Sequence, residues 1–295
     1  ADTSGFAAAV SAAREADAVI LVVGEREDMS AEAHSRASVD LPGVQGDLAR
    51  AVHAAARAAG KPIVVVLMNG RPLAVPWLAA NVPAIVEAWF LGVEHGHAVA
   101  DVLFGDHNPA GRLPVSLPRV TGQVPIYYSQ KPTGRPPVVT EKYTSKYLDV
   151  PWTPQWPFGH GLSYTSFAYA DLRLSADSVR AADSLVVRVS VRNRGSRAGD
   201  EVVQLYLRDD AASVTRPLRA LKGFARVSLG PGAARDVRFT LRPEQLSLYD
   251  RTMRRVVEPG RFTVFVGGSS EGGLEGHFRV VGDTLVLAPP PPRMR

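Results

Sequence analysis

Two kinds of hydrophobic pattern alternate along the first 120 residues. Three short runs are almost wholly apolar, as strands buried on both faces of a parallel sheet are: residues 18–23, 63–68 and 84–90. Helical spacing of small and apolar residues predicts helices over 6–16, 47–59 and 96–103. Strands alternating with helices indicate a doubly wound α/β sheet. Three strands are few for such a sheet, so we expect further strands upstream of this chain.

From about residue 168 the pattern changes to strict alternation of apolar and polar residues, which is typical of antiparallel strands. We predict strands over 185–191, 201–207, 234–241 and 261–267, separated by Gly- and Pro-containing turns. A stretch of about 115 residues with this spacing favours one immunoglobulin-like or fibronectin type III-like β-sandwich. The predicted fold class is therefore α/β plus all-β, with a partial doubly wound α/β sandwich at residues 1–120 and a β-sandwich at 168–285.

Residues 121–167, between these two parts, are rich in proline and aromatic residues. A flexible linker is rich in Gly and Ser instead, so we predict an ordered connection here. Residues 286–295 contain four successive prolines, and we predict a mobile tail.

Composition narrows the class of protein. Hydrophobic residues make up 45% and charged residues 21%, as in folded globular proteins, which excludes a disordered or collagen-like chain. No apolar run reaches the roughly 20 residues that span a bilayer, so we expect no membrane partner. The sequence contains no cysteine, which excludes disulfides, thiolate metal sites and a cysteine nucleophile.

The net charge is +5, from 34 Lys and Arg against 29 Asp and Glu. The basic residues are spread along the chain, with one minor cluster at Arg188, Arg192, Arg194 and Arg197. A nucleic-acid binder gathers its basic residues on one face among reading elements. We interpret the charge as a solvated surface and expect no nucleic-acid partner.

The chain begins Ala-Asp-Thr-Ser-Gly-Phe, without an initiator Met or the pattern of a signal peptide. We therefore expect that it starts inside a longer protein or after processing.

Common cofactor and metal motifs are absent from the sequence: it has no dinucleotide or phosphate loop, no nucleophile elbow and no zinc-protease helix motif. His95 and His97 are the only close histidine pair, and a spacing of two points them apart on a helix. We predict no cofactor and no metal site.

Candidate chemistry lies in residues 24–36, directly after the first apolar run. Four acids fall within eight residues: Glu25, Glu27, Asp28 and Glu32. Ligands in open α/β sheets bind at the carboxyl ends of strands. Glycoside hydrolysis uses two carboxylates, a general acid and a nucleophile or base. Acid-rich loops are usually solvated, so the segment alone leaves catalysis and a surface role both open.

Several segments of the chain, together with residues 24–36, carry a resemblance to a known family. They are GRP at 70–72, ADVLFGDHNPAGRLP at 100–114, PFGHGLSYTSF at 157–167, RPLRALKGF at 216–224 and EPGRFTVFVG at 258–267. With these segments the chain resembles glycoside hydrolase family 3, and within it the periplasmic β-glucosidases of bacteria. The resemblance extends from about residue 17 to 282, and it is most specific at 100–114.

The resemblance implies three parts: an N-terminal barrel, an α/β sandwich and a fibronectin type III-like domain. This chain corresponds to the second half of the sandwich and the last domain. The family's nucleophile is an Asp on the barrel, which is absent here, and its acid/base is a Glu on a loop after a sandwich strand. The loop pattern G-E-x-x-x-M-x-x-E-A-x-S-R places the acid/base at Glu32, with Glu25 as runner-up.

The resemblance also suggests residues around the sugar. Arg36 and Tyr143 are candidates for lining a sugar subsite, although Arg36 is as suited to an ion pair with the acidic loop and Tyr143 to packing. Because Glu32 must reach over a barrel mouth, we expect it to be exposed in this chain. Trp89, on the third predicted strand, is expected in the core, and Glu25 has a structural alternative as a buried carboxylate bonded to loop amides.

The function that follows is the C-terminal portion of a retaining β-glucosidase, periplasmic or secreted, acting on terminal non-reducing β-D-glucosyl residues. Its partners are a β-glucoside or oligosaccharide and the missing barrel; the resemblance leaves a β-xylosidase specificity and a homodimer open. We expect this chain alone to be inactive. The alternative is a non-catalytic carbohydrate-binding or scaffolding module.

Overall fold

A computed structural model describes residues 2–288 of the chain, which divide into two compact units. The first unit contains the chain up to His107, together with Ser116–Ile126 and Asp149–Trp156. The second contains Asn108–Val115, Tyr127–Leu148 and the chain from Pro157 onward.

The first unit has a parallel sheet in the order β1-β2-β3. The predicted apolar runs form these strands, which confirms the α/β pattern read from the sequence. The elements are α1 (Phe6–Glu15), β1 (Val19–Gly24), α2 (Gln45–Ala58), β2 (Ile63–Met68), α3 (Pro76–Asn81), β3 (Ala84–Glu87) and α4 (His95–Phe104).

One face of this sheet packs against helices. Small residues of α1 and α2, such as Ala13 and Ala56, allow close packing around Ile63. Alternate residues of β1 point to the opposite face, where Ile20 and Val22 remain 51% and 53% exposed.

The third strand is shorter than the sequence predicted. It ends at Glu87, and Trp89 has a φ of 52°, in the left-handed region that breaks an extended strand. The prediction of Trp89 as a core residue of a strand is therefore wrong, and its side chain is only half-buried. Helix α3 was not predicted, because six residues are too few to show a helical period.

The second unit contains two larger sheets, in the orders β5-β13-β12-β7-β8 and β4-β6-β9, and a small sheet, β10-β11-β14. Its elements are β4 (Phe167–Leu174), β5 (Ser178–Arg180), β6 (Leu185–Asn193), β7 (Gly199–Asp209), β8 (Ala220–Leu229), β9 (Ala234–Leu241), α5 (Pro243–Leu246), β10 (Leu248–Tyr249), β11 (Arg255–Val257), β12 (Gly260–Gly267), β13 (Leu274–Val281) and β14 (Leu285–Val286).

Strand alternation builds the core of this unit. Along β6, Leu185, Val187, Val189 and Val191 are buried, and the residues between them are not. They pack with Leu205, Val264 and Phe278 from the five-stranded sheet. The predicted β-sandwich is thus present. Strand β8 was missed, because Lys222 lies at a β-bulge opposite Leu205 and Tyr206 and interrupts the alternation.

The Pro- and aromatic-rich connection has little helix or strand, but it is hydrogen-bonded. Gln123 is buried; its side chain accepts from the Arg119 amide at 2.6 Å and donates to the Pro151 carbonyl at 2.8 Å. At the C-terminus, Val286 pairs with Val256. The remainder of the predicted mobile tail, residues 289–295, lies outside the described residues. Over residues 2–288, no helix has both the length and the apolar character that crossing a bilayer requires.

Candidate active site

Three polar side chains lie where the three parallel strands of the first unit end. Glu25 follows β1, Asn69 follows β2, and Glu87 is the last residue of β3. The strands are in register, with Gly24 opposite Met68 and Leu67 opposite Glu87, so these ends form one edge of the sheet. This is the edge where α/β sheets bind ligands.

Glu25 is a buried carboxylate held by two arginines. Its side chain is 0% exposed, and Oε1 lies 2.7 Å from both Arg36 Nη1 and Arg71 Nε. Its Oε2 accepts from the Gly70 amide at 3.3 Å. Both carboxylate oxygens are therefore occupied by protein groups, as a buried charge requires. Glu25 is therefore buried, as its structural alternative expected, but its main partners are two arginines rather than loop amides.

Glu32 lies in a tight turn on the loop after β1. The His34 amide donates to the Ala31 carbonyl at 3.1 Å, and Ala33, inside the turn, has a φ of 63°. The Glu32 side chain is exposed, as predicted. Its carboxylate is thus presented to solvent at the sheet edge by a defined backbone.

Arg71 holds both ends of this turn. Its Nη2 donates to the carbonyl oxygens of Met29 and His34, the latter at 2.8 Å, on either side of Glu32. Since Arg71 also pairs with Glu25, one guanidinium connects the buried carboxylate to the turn that carries the exposed one. Arg36 adds a second connection: its Nη1 donates to Glu25, and its Nη2 donates to the Asp40 carbonyl at 2.9 Å.

Gly70 allows the loop to lie this close to β2. A Cβ at this position would be 2.2 Å from Ser30 Oγ and 3.0 Å from Phe90 Cε2. Any larger residue would therefore push Ser30, and with it the segment that leads to Glu32, away from the end of β2.

Glu87 was not singled out from the sequence. Burial raises its pKa to about 7, against the opposing effects of the Trp89 amide and the Asn69 side chain. The Trp89 amide donates to Glu87 Oε1 at 3.4 Å. An acid that ends an otherwise apolar strand was the sequence signal for this residue.

The two candidate sugar-subsite residues differ in their surroundings. Arg36 is engaged by Glu25 and Asp40, in line with its interpretation as an ion-pair partner. Tyr143, in the second unit, is 74% exposed rather than packed, with Lys142 Nζ 5.5 Å from its ring centre. Arg71 is the site residue that the sequence left without a role, although it lies in the GRP segment.

In the part of the chain that the structure describes, no three His, Asp or Glu side chains gather as a metal site would need. His97 Nδ1 lies 3.3 Å from Glu94 Oε2, at the start of α4.

Comparisons with known proteins cover both units. A family model described as Glycosyl hydrolase family 3 C-terminal domain matches residues 2–164. A model described as Fibronectin type III-like domain matches residues 201–270. These matches confirm the predicted fold class and the predicted family.

Curated relatives are longer than this chain. The periplasmic beta-glucosidase of Salmonella typhimurium is 46% identical over 275 residues, which are 92% of this chain and 35% of that protein. A beta-xylosidase of Formosa agariphila is also 46% identical, over 90% of this chain and 36% of its own length. The chain thus spans about a third of these relatives.

Solved structures show the same relation. The beta-glucosidase of Listeria innocua in complex with glucose superposes with a TM-score of 0.90 at 40% identity. The match covers 97% of this chain and 39% of that structure.

Proposed function

Because the chain belongs to glycoside hydrolase family 3, we propose that it is the C-terminal portion of a retaining β-glucosidase and supplies the acid/base, Glu32. The names of the Salmonella and Listeria relatives support β-glucosidase activity. The remaining two thirds of such relatives have no counterpart in this chain. We assign the barrel and the nucleophilic Asp to that portion.

One observation carries the assignment to Glu32: an exposed carboxylate on a turn whose two ends are held by one half-buried guanidinium. A catalytic acid must reach the substrate, and its position must be fixed in advance. Glu32 meets both conditions. Glu25 does not, because its side chain is inaccessible and its oxygens are already bonded.

The proposed reaction has two steps. The Asp attacks the anomeric carbon while Glu32 protonates the leaving oxygen, and Glu32 then takes a proton from the water that releases the sugar. This requires the two carboxyl groups to lie about 5–5.5 Å apart. The exposed Glu32 loop leaves room for a barrel to meet it, and the dry surroundings that a general acid needs come from that barrel.

The other site residues follow from these contacts. Arg36 acts as a positioning residue, because its guanidinium is already bonded to Glu25 and to the Asp40 carbonyl. Tyr143 offers an exposed ring for stacking on a sugar. We assign glucosides rather than xylosides as the substrates, because the Listeria relative has been solved in complex with glucose. The Salmonella relative's name supports a periplasmic or secreted location.

The test uses the whole enzyme with Glu32→Gln. Hydrolysis of glucosides with poor leaving groups should fall about 10²- to 10⁴-fold. The hydrolysis of activated aryl glucosides should fall much less, since their leaving groups depart without protonation. Azide should restore the turnover of these substrates. Glu27→Gln is the matched control, as this exposed acid lies on the same loop and should stay close to wild type.

Equal losses on both kinds of glucoside would refute an acid/base role for Glu32. Glu25→Gln, assayed in parallel, should lose less activity than Glu32→Gln but show the same bias toward poor leaving groups, because it acts through the loop that positions Glu32. Saturable binding of a neutral glucan by this chain, with no hydrolysis by the whole protein, would instead support the carbohydrate-binding module.

A further inference from the structure

Three arginines lie directly opposite one another across the sheet β4-β6-β9. The register pairs Arg173 of β4 with Arg188 of β6, and Arg188 with Arg238 of β9. Their neighbours on β6, Val187 and Val189, are buried in the core, so the arginines occupy the outer face of the sheet. All three are exposed. We call this row the arginine ladder.

The ladder places three positive charges side by side, with no direct ion pair to any of them among the described residues. Neighbouring strands are about 4.8 Å apart, and like charges directly opposite each other destabilise a sheet. Within residues 2–288, none of the three guanidiniums forms an ion pair or a side-chain hydrogen bond. Asp236, on the same face of β9, lies opposite Ser190, two register pairs further along. Because these like charges destabilise the sheet and no described protein group pairs with them, we expect the ladder to bind an external anion.

The shape of the surface indicates which anion. The ladder lines one shallow groove together with Leu174, Ser175 and Val186. Each guanidinium presents a planar fork that binds a carboxylate, sulfate or phosphate through two hydrogen bonds. Three such forks on neighbouring strands, about 4.8 Å apart, fit a linear chain that carries a charge on successive units.

The surroundings argue against nucleic acid. Among the described residues, no aromatic side chain lines the groove, whereas single strands bind by stacking their bases on aromatic rings. Duplex DNA is read by a helix or ribbon that projects into its groove, and this surface is recessed. We propose that the arginine ladder binds a linear acidic polysaccharide through the carboxylates of its uronic acid units. This function goes beyond the proposed hydrolysis and needs no turnover.

The test is affinity electrophoresis of this chain in gels containing polygalacturonate, with laminarin as the neutral polysaccharide. The ladder variant replaces Arg173, Arg188 and Arg238 with Gln. The matched control replaces Arg14, Arg57 and Arg251 with Gln; these are exposed on α1, on α2 and between β10 and β11. Both variants lose three positive charges.

Polygalacturonate should retard the wild type and the control, and laminarin should retard neither. The ladder variant should bind polygalacturonate at least about tenfold more weakly, and the salt dependence of binding should fall by about one unit of slope for each arginine removed. Its urea midpoint should equal or exceed that of the wild type, because like-charge pairs are gone. The single variant Arg188→Gln, at the centre of the ladder, repeats the test if the triple variant unfolds.

Three results would overturn the proposal: no retardation of the wild type, equal weakening in the ladder and control variants, or tighter binding of duplex DNA than of polygalacturonate under the same conditions. The last would indicate nucleic acid as the ligand. Because the assay measures binding alone, it is independent of any failure of the Glu32 test.

Discussion

Arg71 Nε lies 2.7 Å from Glu25 Oε1, and the same guanidinium donates to the carbonyl oxygens on either side of Glu32. The exposed acid and the buried acid are thus parts of one structure. Glu25 pairs with Arg71, Arg71 fixes the turn, and the turn presents Glu32. The proposed catalytic group depends on a strand end that contributes no atom to the reaction.

Removing the contacts of Arg71 should reduce catalysis, because Glu32 would no longer be held in position. In the whole enzyme we expect Arg71→Met to lower kcat for poor leaving groups by up to about 10²-fold, the cost of misplacing a reacting group by about 1 Å. Arg71→Lys keeps the charge but cannot reach both carbonyls and Glu25, so it should recover only part of the loss. Steady-state kinetics over a series of aryl glucosides measures both.

The control for this series is Arg26→Met, since Arg26 is exposed and, within residues 2–288, its side chain pairs only with Asp28 on the same loop. A merely structural role for Arg71 would lower activity on all leaving groups by the same factor. That uniform loss would contradict positioning of the acid.

Gly70 and Ser30 should be energetically coupled. Gly70→Ala places a Cβ 2.2 Å from Ser30 Oγ and 2.8 Å from Ser30 Cβ, so the loop must move. Ser30→Gly removes both atoms and should restore much of the activity lost in Gly70→Ala. A double-mutant cycle on kcat/KM should give a coupling of about 1–3 kcal/mol. Additive effects would mean that the loop does not depend on this contact.

Glu87 should make the first unit less stable as pH rises. Its pKa is about 7 in the folded chain, against 4.5 for an ordinary glutamate, so the folded state binds the proton more tightly. The protonated carboxyl therefore adds about 3 kcal/mol to the free energy of unfolding. This stabilisation is fully present below about pH 4.5 and is lost as the pH rises through 7. Glu87→Gln should match the wild type near pH 4.5 and exceed it at pH 8.

Tryptophan fluorescence suits this measurement, because all four tryptophans lie in the first unit: Trp77, Trp89, Trp152 and Trp156. Urea unfolding followed by this signal therefore reports that unit alone. Glu27→Gln, an exposed acid of the same unit, should keep the pH dependence of the wild type. An unchanged pH dependence in Glu87→Gln would show that its carboxyl is not the titrating group.

The sequence predicted several of the elements whose residues alternate or run together without interruption, although β13, which also alternates, was not predicted. Strand β2 matches its predicted bounds, and so does β9. Strand β8 was missed because the bulge at Lys222 breaks its period, and β3 was overextended because the left-handed backbone at Trp89 is invisible in an apolar run.

The candidate site divides in the same way. Glu25 and Glu32 were found because they follow a strand and match a family pattern, and the predicted exposure of Glu32 is confirmed. Arg71 was left without a role because its partners lie more than 35 residues earlier in the chain, and only the parallel pairing of β1 with β2 brings them together. Contacts between strand ends depend on register, which residue spacing does not reveal.

The link between Gly70, Arg71 and the Glu32 turn has a consequence for protein engineering. A chimera that exchanges only the loop after β1 for that of a relative separates the loop from the guanidinium and the glycine that hold it. The smallest exchangeable module is the loop together with the end of β2, and crossover points placed after Pro72 should give more active hybrids than crossovers placed between the two strands.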